Sequence, residues 1–333
     1  MSDRKKDHID LAFKSQTSLD KCDKRFVYEP LLSGHPKGEL PPFEFLGKEL
    51  RTPIWASSMT GGTKLAKTIN ENIARVCNEF GMGMGLGSCR QLLESQDHFQ
   101  DFNVRGILGD NLPLYANLGI AQVDIILRNH EYDKIKRLIE NLQADGLIIH
   151  INPLQEWFQP EGNIIERSPI DIIEDLLHRV EYPIIVKEVG QGMGALSLKR
   201  LMQLPLSAVE FGAFGGTNFS LLEMLRSDNN DQDVYDPFAF IGQSAEQMVN
   251  SINQLSGTTH LQCKELIISG GIKTFLDGYY LMNKCAVHSV YGMASPILEH
   301  AKESYESLHN FIDKQTKGLA LAEAYLRINP EHL

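Results

Sequence analysis

The sequence predicts an α/β protein, a closed (β/α)8 TIM barrel with an N-terminal extension and a C-terminal helix. Three observations predict it. Eight short apolar runs recur along the chain, a turn rich in Gly, Ser or Asn follows them, and amphipathic helical stretches lie between them. Strands that alternate with helices and are apolar on both faces belong to a parallel sheet, and eight such units suffice to close a barrel. An open doubly wound sheet would need fewer strands and a single glycine fingerprint after the first.

The elements follow in chain order. Residues 1–52 fall outside the repeat: a basic start containing Arg4, Lys5 and His8, then LLSGHPKGELPP, which reads as an ordered loop or hairpin. The strands are expected at 53–57, 82–86, 113–117, 146–150, 183–187, 207–211, 265–269 and 286–290. Leu65, Ile69, Ile73, Val76 and Phe80 share one helical face, as do Ile135, Leu138, Ile139 and Leu142, and Ile172, Ile173, Leu176, Leu177 and Val180. Thr63, Ser168, Ser197 and Ser244 are expected to cap helices. His288, on an apolar run, reads as a satisfied core histidine. Residues 226–242 form a long polar excursion after the sixth strand, and connections of that length usually carry function or mobility. From Ser304 to Leu326 the pattern is helical, with Leu308, Phe311, Ile312, Leu319, Ala322 and Leu326 expected inside. No composition break divides 53–333, so one domain is expected, with 1–52 as its extension.

Composition limits the function. Among 333 residues, 32 basic side chains against 43 acidic give a net charge of −11, which disfavours a nucleic-acid binder but permits an anionic small molecule held by a local cluster. A hydrophobic fraction of 42% with 23% charged residues excludes a disordered or disulfide-scaffold chain. No run is long enough to span a membrane, and MSDRKKDHIDLAF lacks the apolar core of a signal peptide. The five cysteines form no CxxC pair, so free thiols in the cytoplasm and no zinc site are expected.

Barrel chemistry gathers at the C-terminal ends of the strands. Here those ends carry Ser58-Met59-Thr60-Gly61-Gly62, Gly87-Ser88-Cys89-Arg90, Asn117, His150-Ile151-Asn152, Lys187-Glu188, Gly215-Gly216-Thr217, Ser269-Gly270-Gly271 and Gly292-Met293-Ala294-Ser295. Glycines on three neighbouring loops let backbone N–H groups approach a phosphate, whereas any one pair alone also reads as a tight turn. Lys187 ends a buried strand, where it either passes into solvent or pairs with Glu188, or faces a bound anion or flavin edge. Gln155 and Glu156 follow the fourth strand. A lone loop carboxylate is ordinarily solvated, but one beside His150, Asn152 and a diphosphate suits Mg²⁺. The short basic N-terminal run reads, on its own, as a solvated tail, and Arg90 as a surface arginine. Gly83-Met84-Gly85-Leu86-Gly87 and Gly190-Gln191-Gly192-Met193-Gly194 do not match a dinucleotide fingerprint.

Taken in order, Arg4-Lys5-x-x-His8, Met59-Thr60-Gly61-Gly62, Gly87-Ser88-x-Arg90, Ala116-Asn117-Leu118-Gly119, His150-x-Asn152-x-x-Gln155-Glu156, Val186-Lys187-Glu188-Val189-Gly190, Gly215-Gly216-Thr217-Asn218, Ser269-Gly270-Gly271 and Gly292-Met293-Ala294 closely resemble the motifs of the type 2 isopentenyl-diphosphate isomerases. The resemblance covers residues 4 to about 298 and rests on the joint order of the motifs. It departs from the family's usual pattern at Trp55-Ala56-Ser57-Ser58 and around Phe240 to Ser244. It implies an FMN barrel that interconverts isopentenyl and dimethylallyl diphosphate, using reduced FMN as acid and base, NADPH as reductant and Mg²⁺, in a homo-oligomer (tetramer or octamer). By the same resemblance, Ser58, Met59, Thr60, Ser88, Asn117, Lys187 and Thr217 contact the flavin, and Gly270, Gly271, Ala294 and Ser295 its phosphate. Arg4, Lys5, His8, Ser88 and Arg90 grip the substrate diphosphate, and the N-terminal segment then acts as a lid. His150, Asn152 and Gln155 lie on the substrate side, Glu156 binds the metal, and Gln155, His150 and Lys187 carry the chemistry. The alternatives are an FMN-barrel oxidoreductase of the 2-hydroxy-acid oxidase type and a catalytically silent flavin-binding protein.

Overall fold

A computed structural model describes residues 2–58, 64–226 and 234–332. Eight parallel strands close on themselves: β1 Ile54–Ala56, β2 Gly83–Gly85, β3 Leu114–Gly119, β4 Gly146–Ile151, β5 Ile184–Glu188, β6 Ala208–Glu210, β7 Glu265–Ser269 and β8 His288–Met293. Hydrogen bonding runs around the ring in chain order, and β8 pairs with β1 to complete it. This is the predicted (β/α)8 barrel.

Side-chain size closes the barrel from below. The Trp55 and Tyr115 rings meet inside it with centroids 6.1 Å apart, and Trp55 is fully buried. Glycines on neighbouring strands make the room. A Cβ on Gly83 would stand 2.4 Å from the Trp55 ring, and one on Gly146 would stand 2.7 Å from Tyr115. Below this plug, the hairpin Phe43–Phe45/Lys48–Leu50 buries Phe45 and Leu50 in the same core. Residues 43–50 of the extension are therefore part of the barrel's packing. Residues 31–42, by contrast, form no regular element.

The outer helices supply the other half of the core. Helix Asp133–Leu142 buries Ile135, Leu138, Ile139 and Leu142, and helix Pro169–Leu177 buries Ile172, Ile173 and Leu176, with Leu177 partly covered. Ser168 and Ser244 cap their helices, the latter through a reciprocal capping box with Gln247. The C-terminal pattern is one helix, Tyr305–Tyr325, preceded by the separate helix Ser295–Glu303, and Leu326 opens a short strand, Leu326–Ile328, paired with Phe26–Tyr28 of the extension.

Four local expectations are corrected. Ser197 lies inside helix Ala195–Met202, because Gly194 already takes the extended capping conformation. Leu65 is half exposed in the first turn of helix Lys64–Phe80, because the buried face begins at Ala66 and continues through Ile69 and Ile73. Strand β8 starts two residues later than the apolar run and extends to Met293. His288 is consequently at the bottom rim, exposed, 3.5 Å from Glu265 and edge-on to Phe43 and Phe45. It is a rim residue and not a core one. Thr63 lies outside the described residues.

All five cysteines are free. Among the described residues, no helix is long and apolar enough to cross a membrane.

At the bottom rim, Asp145 accepts from Lys48 Nζ at 2.6 Å, Arg105 Nη2 at 2.9 Å and the Leu114 N–H at 2.8 Å. Arg105 is buried, so removing its carboxylate leaves a dry guanidinium without a counter-charge. Asp145→Ala should lower unfolding free energy by about 3 kcal/mol in urea denaturation; a loss no larger than that of an ordinary surface substitution would show the triad to be dispensable.

Candidate active site

Parallel register builds the site. Gly119, His150, Lys187 and Glu210 are paired in turn across β3, β4, β5 and β6. Paired residues on parallel strands face the same side of the sheet. His150, Lys187 and Glu210 therefore form one polar tier on the inner wall, above the aromatic plug.

His150 is held in a defined state. Asn117 Nδ2 donates to the Leu86 carbonyl at 3.0 Å, which turns Asn117 Oδ1 toward the imidazole, 2.7 Å from His150 Nδ1. An amide oxygen only accepts, so the proton resides on Nδ1 and Nε2 presents a lone pair. Burial, and then the Lys187 ammonium, push the ring down to about 3 from an ordinary 6.5. The imidazole is neutral at physiological pH.

Lys187 is buried and does not pair with the Glu188 carboxylate. Its Nζ donates to the Glu188 carbonyl at 2.9 Å. The Glu188 carboxylate instead accepts from the N–H groups of Gly190, Gln191 and Gly192, each at 2.7 Å, which shapes the loop after β5. Desolvation pushes the Glu188 carboxyl up, and those three N–H groups oppose it.

Two adjoining cavities open over this tier. The first, about 220 Å³, is lined by Lys187 and Glu210 and by the loops carrying Gly215-Gly216-Thr217, Gly270-Gly271 and Ala294-Ser295. The three expected phosphate loops thus surround one space. Gly270 sits at φ +92, and a Cβ there would fall 2.1 Å from the Ala213 carbonyl oxygen, so two loops can approach only because it is glycine. Thr217 Oγ1 and Ser295 Oγ are 2.5 Å apart across the mouth. The second cavity, about 120 Å³, is lined by Ser58, Ser88, Asn117, His150, Gln155 and Lys187, among others.

The satellite helices Pro153–Phe158 and Phe219–Arg226 are joined by a small core of Phe158, Met224 and Ala239. This packing brings Gln155 Nε2 to 3.1 Å from Glu223 Oε1, while Arg226 Nη1 lies 2.7 Å from Glu223 Oε2. Asn152 Nδ2 donates to Gln155 Oε1 at 3.1 Å and to Glu156 Oε1 at 3.2 Å. Glu156 Oε2 accepts from the Asn163 N–H at 2.7 Å.

Most of the expected residues are therefore grouped at one mouth: Ser58, Ser88, Asn117, His150, Gln155, Lys187, Thr217, Gly270, Gly271, Ala294 and Ser295. Asn152 and Glu156 stand beside it. Arg90 is exposed at the start of a short 3-10 turn after β2. Arg4, Lys5 and His8 lie on helix Ser2–Leu11 with exposed side chains, and they make no hydrogen bond to the mouth among the described residues. Met59 and Thr60 lie outside the described residues. At the mouth, the buried acids Glu210 and Glu223 escaped sequence reasoning. Each occupies a position where the pattern calls for an apolar residue: the fourth position of SAVEF, and the buried face of a helix shared with Ser220 and Met224.

The donor sets fit the implied groups. Glycine-lined loops with two hydroxyls, above a buried lysine and the hydroxyls of Ser57 and Ser58, which have no partner among the described residues, suit a phosphate carrying a polar ring. Around Gln155, Glu156 and Glu223 the donors are all oxygen, which suits Mg²⁺ and not zinc. No cluster of three or more His, Cys, Asp or Glu side chains able to hold a metal occurs among the described residues, so substrate oxygens would have to complete the shell.

A closed (β/α)8 barrel with a polar, glycine-lined mouth at its C-terminal end has the architecture of a barrel enzyme. No family model matches the chain. It is 35% identical over 258 residues to the isopentenyl-diphosphate delta-isomerase of Rickettsia akari, covering 77% of this chain and 72% of that protein. It is 34% identical over 281 residues to the enzyme of the same name from a Synechocystis species, covering 83% and 76%. Among solved structures it resembles a flavocytochrome b2 variant with pyruvate bound, with TM-score 0.63 and 14% identity over 95% of this chain and 78% of that one. A mandelate oxidase variant with a monooxide FMN adduct gives TM-score 0.56 and 13% identity over 91% and 88%. These two likenesses show the shared barrel. The chain belongs to the type 2 isopentenyl-diphosphate delta-isomerase family, and it is an isomerase.

Nitrogen-15 NMR of the histidine rings should find His150 neutral, with its proton on Nδ1, throughout the neutral pH range. A ring titrating near its ordinary value of 6.5 would contradict the Asn117–His150 arrangement.

Proposed function

We propose that the chain interconverts isopentenyl and dimethylallyl diphosphate at this mouth, with FMN as its resident cofactor. The observation that carries the reading is the tier of neutral His150 beside buried Lys187, beneath three glycine loops. The names of the relatives point to the same substrates. Gly270, Gly271, Ala294 and Ser295 would hold the FMN phosphate, with Thr217 closing the mouth across it. Ser58, Met59, Thr60, Ser88, Asn117 and Lys187 would contact the ring.

The reaction moves a proton across three carbons of an unactivated alkene, which generates tertiary cationic character with no heteroatom to relieve it. Reduced FMN, when bound, would supply negative charge and a basic ring nitrogen. The chain's own groups do the rest. The Lys187 ammonium favours an anionic ring. His150, fixed by Asn117, offers Nε2 as an acceptor for a donor on the substrate side. Gln155 is neutral and is oriented by Asn152 and Glu223, so it aligns the substrate or relays a proton. Glu156 would bind Mg²⁺, and NADPH would serve as reductant.

Under anaerobic conditions the protein should form many product molecules for each NADPH oxidised, since the flavin would act as acid and base and not as a consumed hydride donor. One NADPH per product would overturn the isomerisation mechanism and favour an oxidoreductase.

The exposed helix Ser2–Leu11 would close over the diphosphate as a lid, adding Arg4, Lys5 and His8 to the grip of Ser88 and Arg90. Charge-assisted hydrogen bonds of this kind contribute about 1.5–3 kcal/mol each. Deleting residues 1–8 should leave the melting temperature unchanged and cut kcat/KM by about 100-fold or more. Full activity in the truncated enzyme would refute the lid.

A further inference from the structure

Glu210 has no place in the chemistry described so far. It lies at the end of β6, fully buried, and lines the larger cavity. Neither carboxylate oxygen completes a hydrogen bond among the described residues, although the Ser57 and Ser269 hydroxyls stand close by. A carboxylate in such surroundings needs a compensating charge, because desolvation alone would force it to take up a proton. Its register partner on β5 is Lys187, which is also buried and lines the same cavity, and whose ammonium donates to the Glu188 carbonyl.

We propose that Glu210 is a positioning residue, the internal counter-charge of Lys187, and that this buried pair sets the electrostatic potential at the floor of the cofactor cavity. Desolvation pushes the Glu210 carboxyl up and the Lys187 charge opposes it, as expected for two charges on register-paired residues of one dry wall. With the carboxylate in place, the lysine's positive field is partly cancelled and the cavity discriminates less strongly between neutral and anionic rings. Without it, the lysine acts at full strength.

Two measurements test the pair, and only the second depends on the flavin reading. The first is a thermal double-mutant cycle on the protein as purified, with Glu210→Gln, Lys187→Met and both together. Each single change strands or unbalances one buried charge, so the double variant should melt higher than the sum of the single effects predicts. Additive melting shifts would overturn the pair.

The second is the midpoint potential of bound FMN, followed by spectroelectrochemistry. Glu210→Gln should shift it to more positive values, equivalent to about tenfold greater preference for reduced over oxidised FMN. Glu210→Asp should restore a value near that of the unmodified enzyme, and the Gln substitution should shift nothing in a Lys187→Met background. An unshifted potential in a flavin-loaded Glu210→Gln variant would overturn the proposal. Failure of every variant and of the unmodified chain to bind FMN would instead overturn the cofactor reading, leaving the melting cycle to decide the pair.

Discussion

The site depends on one constraint: parallel register places His150, Lys187 and Glu210 side by side on the inner wall of a closed barrel. Buried charges there are costly, and only a few polar groups of the wall, such as the Glu188 carbonyl on Lys187, offset the lost water. The barrel meets that cost by segregation. Aromatic volume from Trp55 and Tyr115 fills the lower half, with Gly83 and Gly146 cleared to admit the rings, and the polar tier is confined to the open end. The cavities lie above the tier, so a ligand that enters them meets groups already desolvated on one side. Electrostatic interactions made there are stronger than the same pairs in water.

A second level of order fixes the mouth. Glu188 points away from Lys187 and gathers three consecutive N–H groups of the loop after β5, so the loop is shaped by a carboxylate that would otherwise compete for the lysine. The satellite helices have their own small core, which sets Gln155 against Glu223 independently of the main barrel. Asn152 bridges Gln155 and Glu156, linking the end of β4 to that unit. Local hydrogen bonding therefore decides orientation, while barrel closure decides position.

The barrel was legible in the sequence because its signals are local: apolar runs, helical periodicity and glycine punctuation all act within a few residues. The mouth was legible because strand ends of a barrel converge by topology, so residues far apart in sequence such as Ser58, His150 and Gly270 needed no contact information to be grouped. Glu210 and Glu223 were not legible, since an acid within an apolar segment reads as noise until its neighbours are known. The exposure of His288 and Leu65 was missed for a related reason. Periodicity identifies a face but not the residue at which an element enters the core. The Lys187 alternatives could be separated only by geometry, which shows the Glu188 carboxylate engaged elsewhere.

The distribution of cations divides the proposed site into a rigid part and an adaptable part. In a chain of net charge −11, a polyanionic ligand must find its positive charge locally. The cation in the tier, Lys187, is fixed by burial and by the Glu188 carbonyl, so it is preorganised for a cofactor that remains bound. Arg4, Lys5 and Arg90, and Lys273 at the edge of the first cavity, are exposed at the surface. Side chains free in water lose rotamer entropy when they close on a ligand, which lowers affinity and permits release. That asymmetry suits an enzyme whose cofactor stays and whose substrate and product, both diphosphates of equal charge, must leave after every turnover.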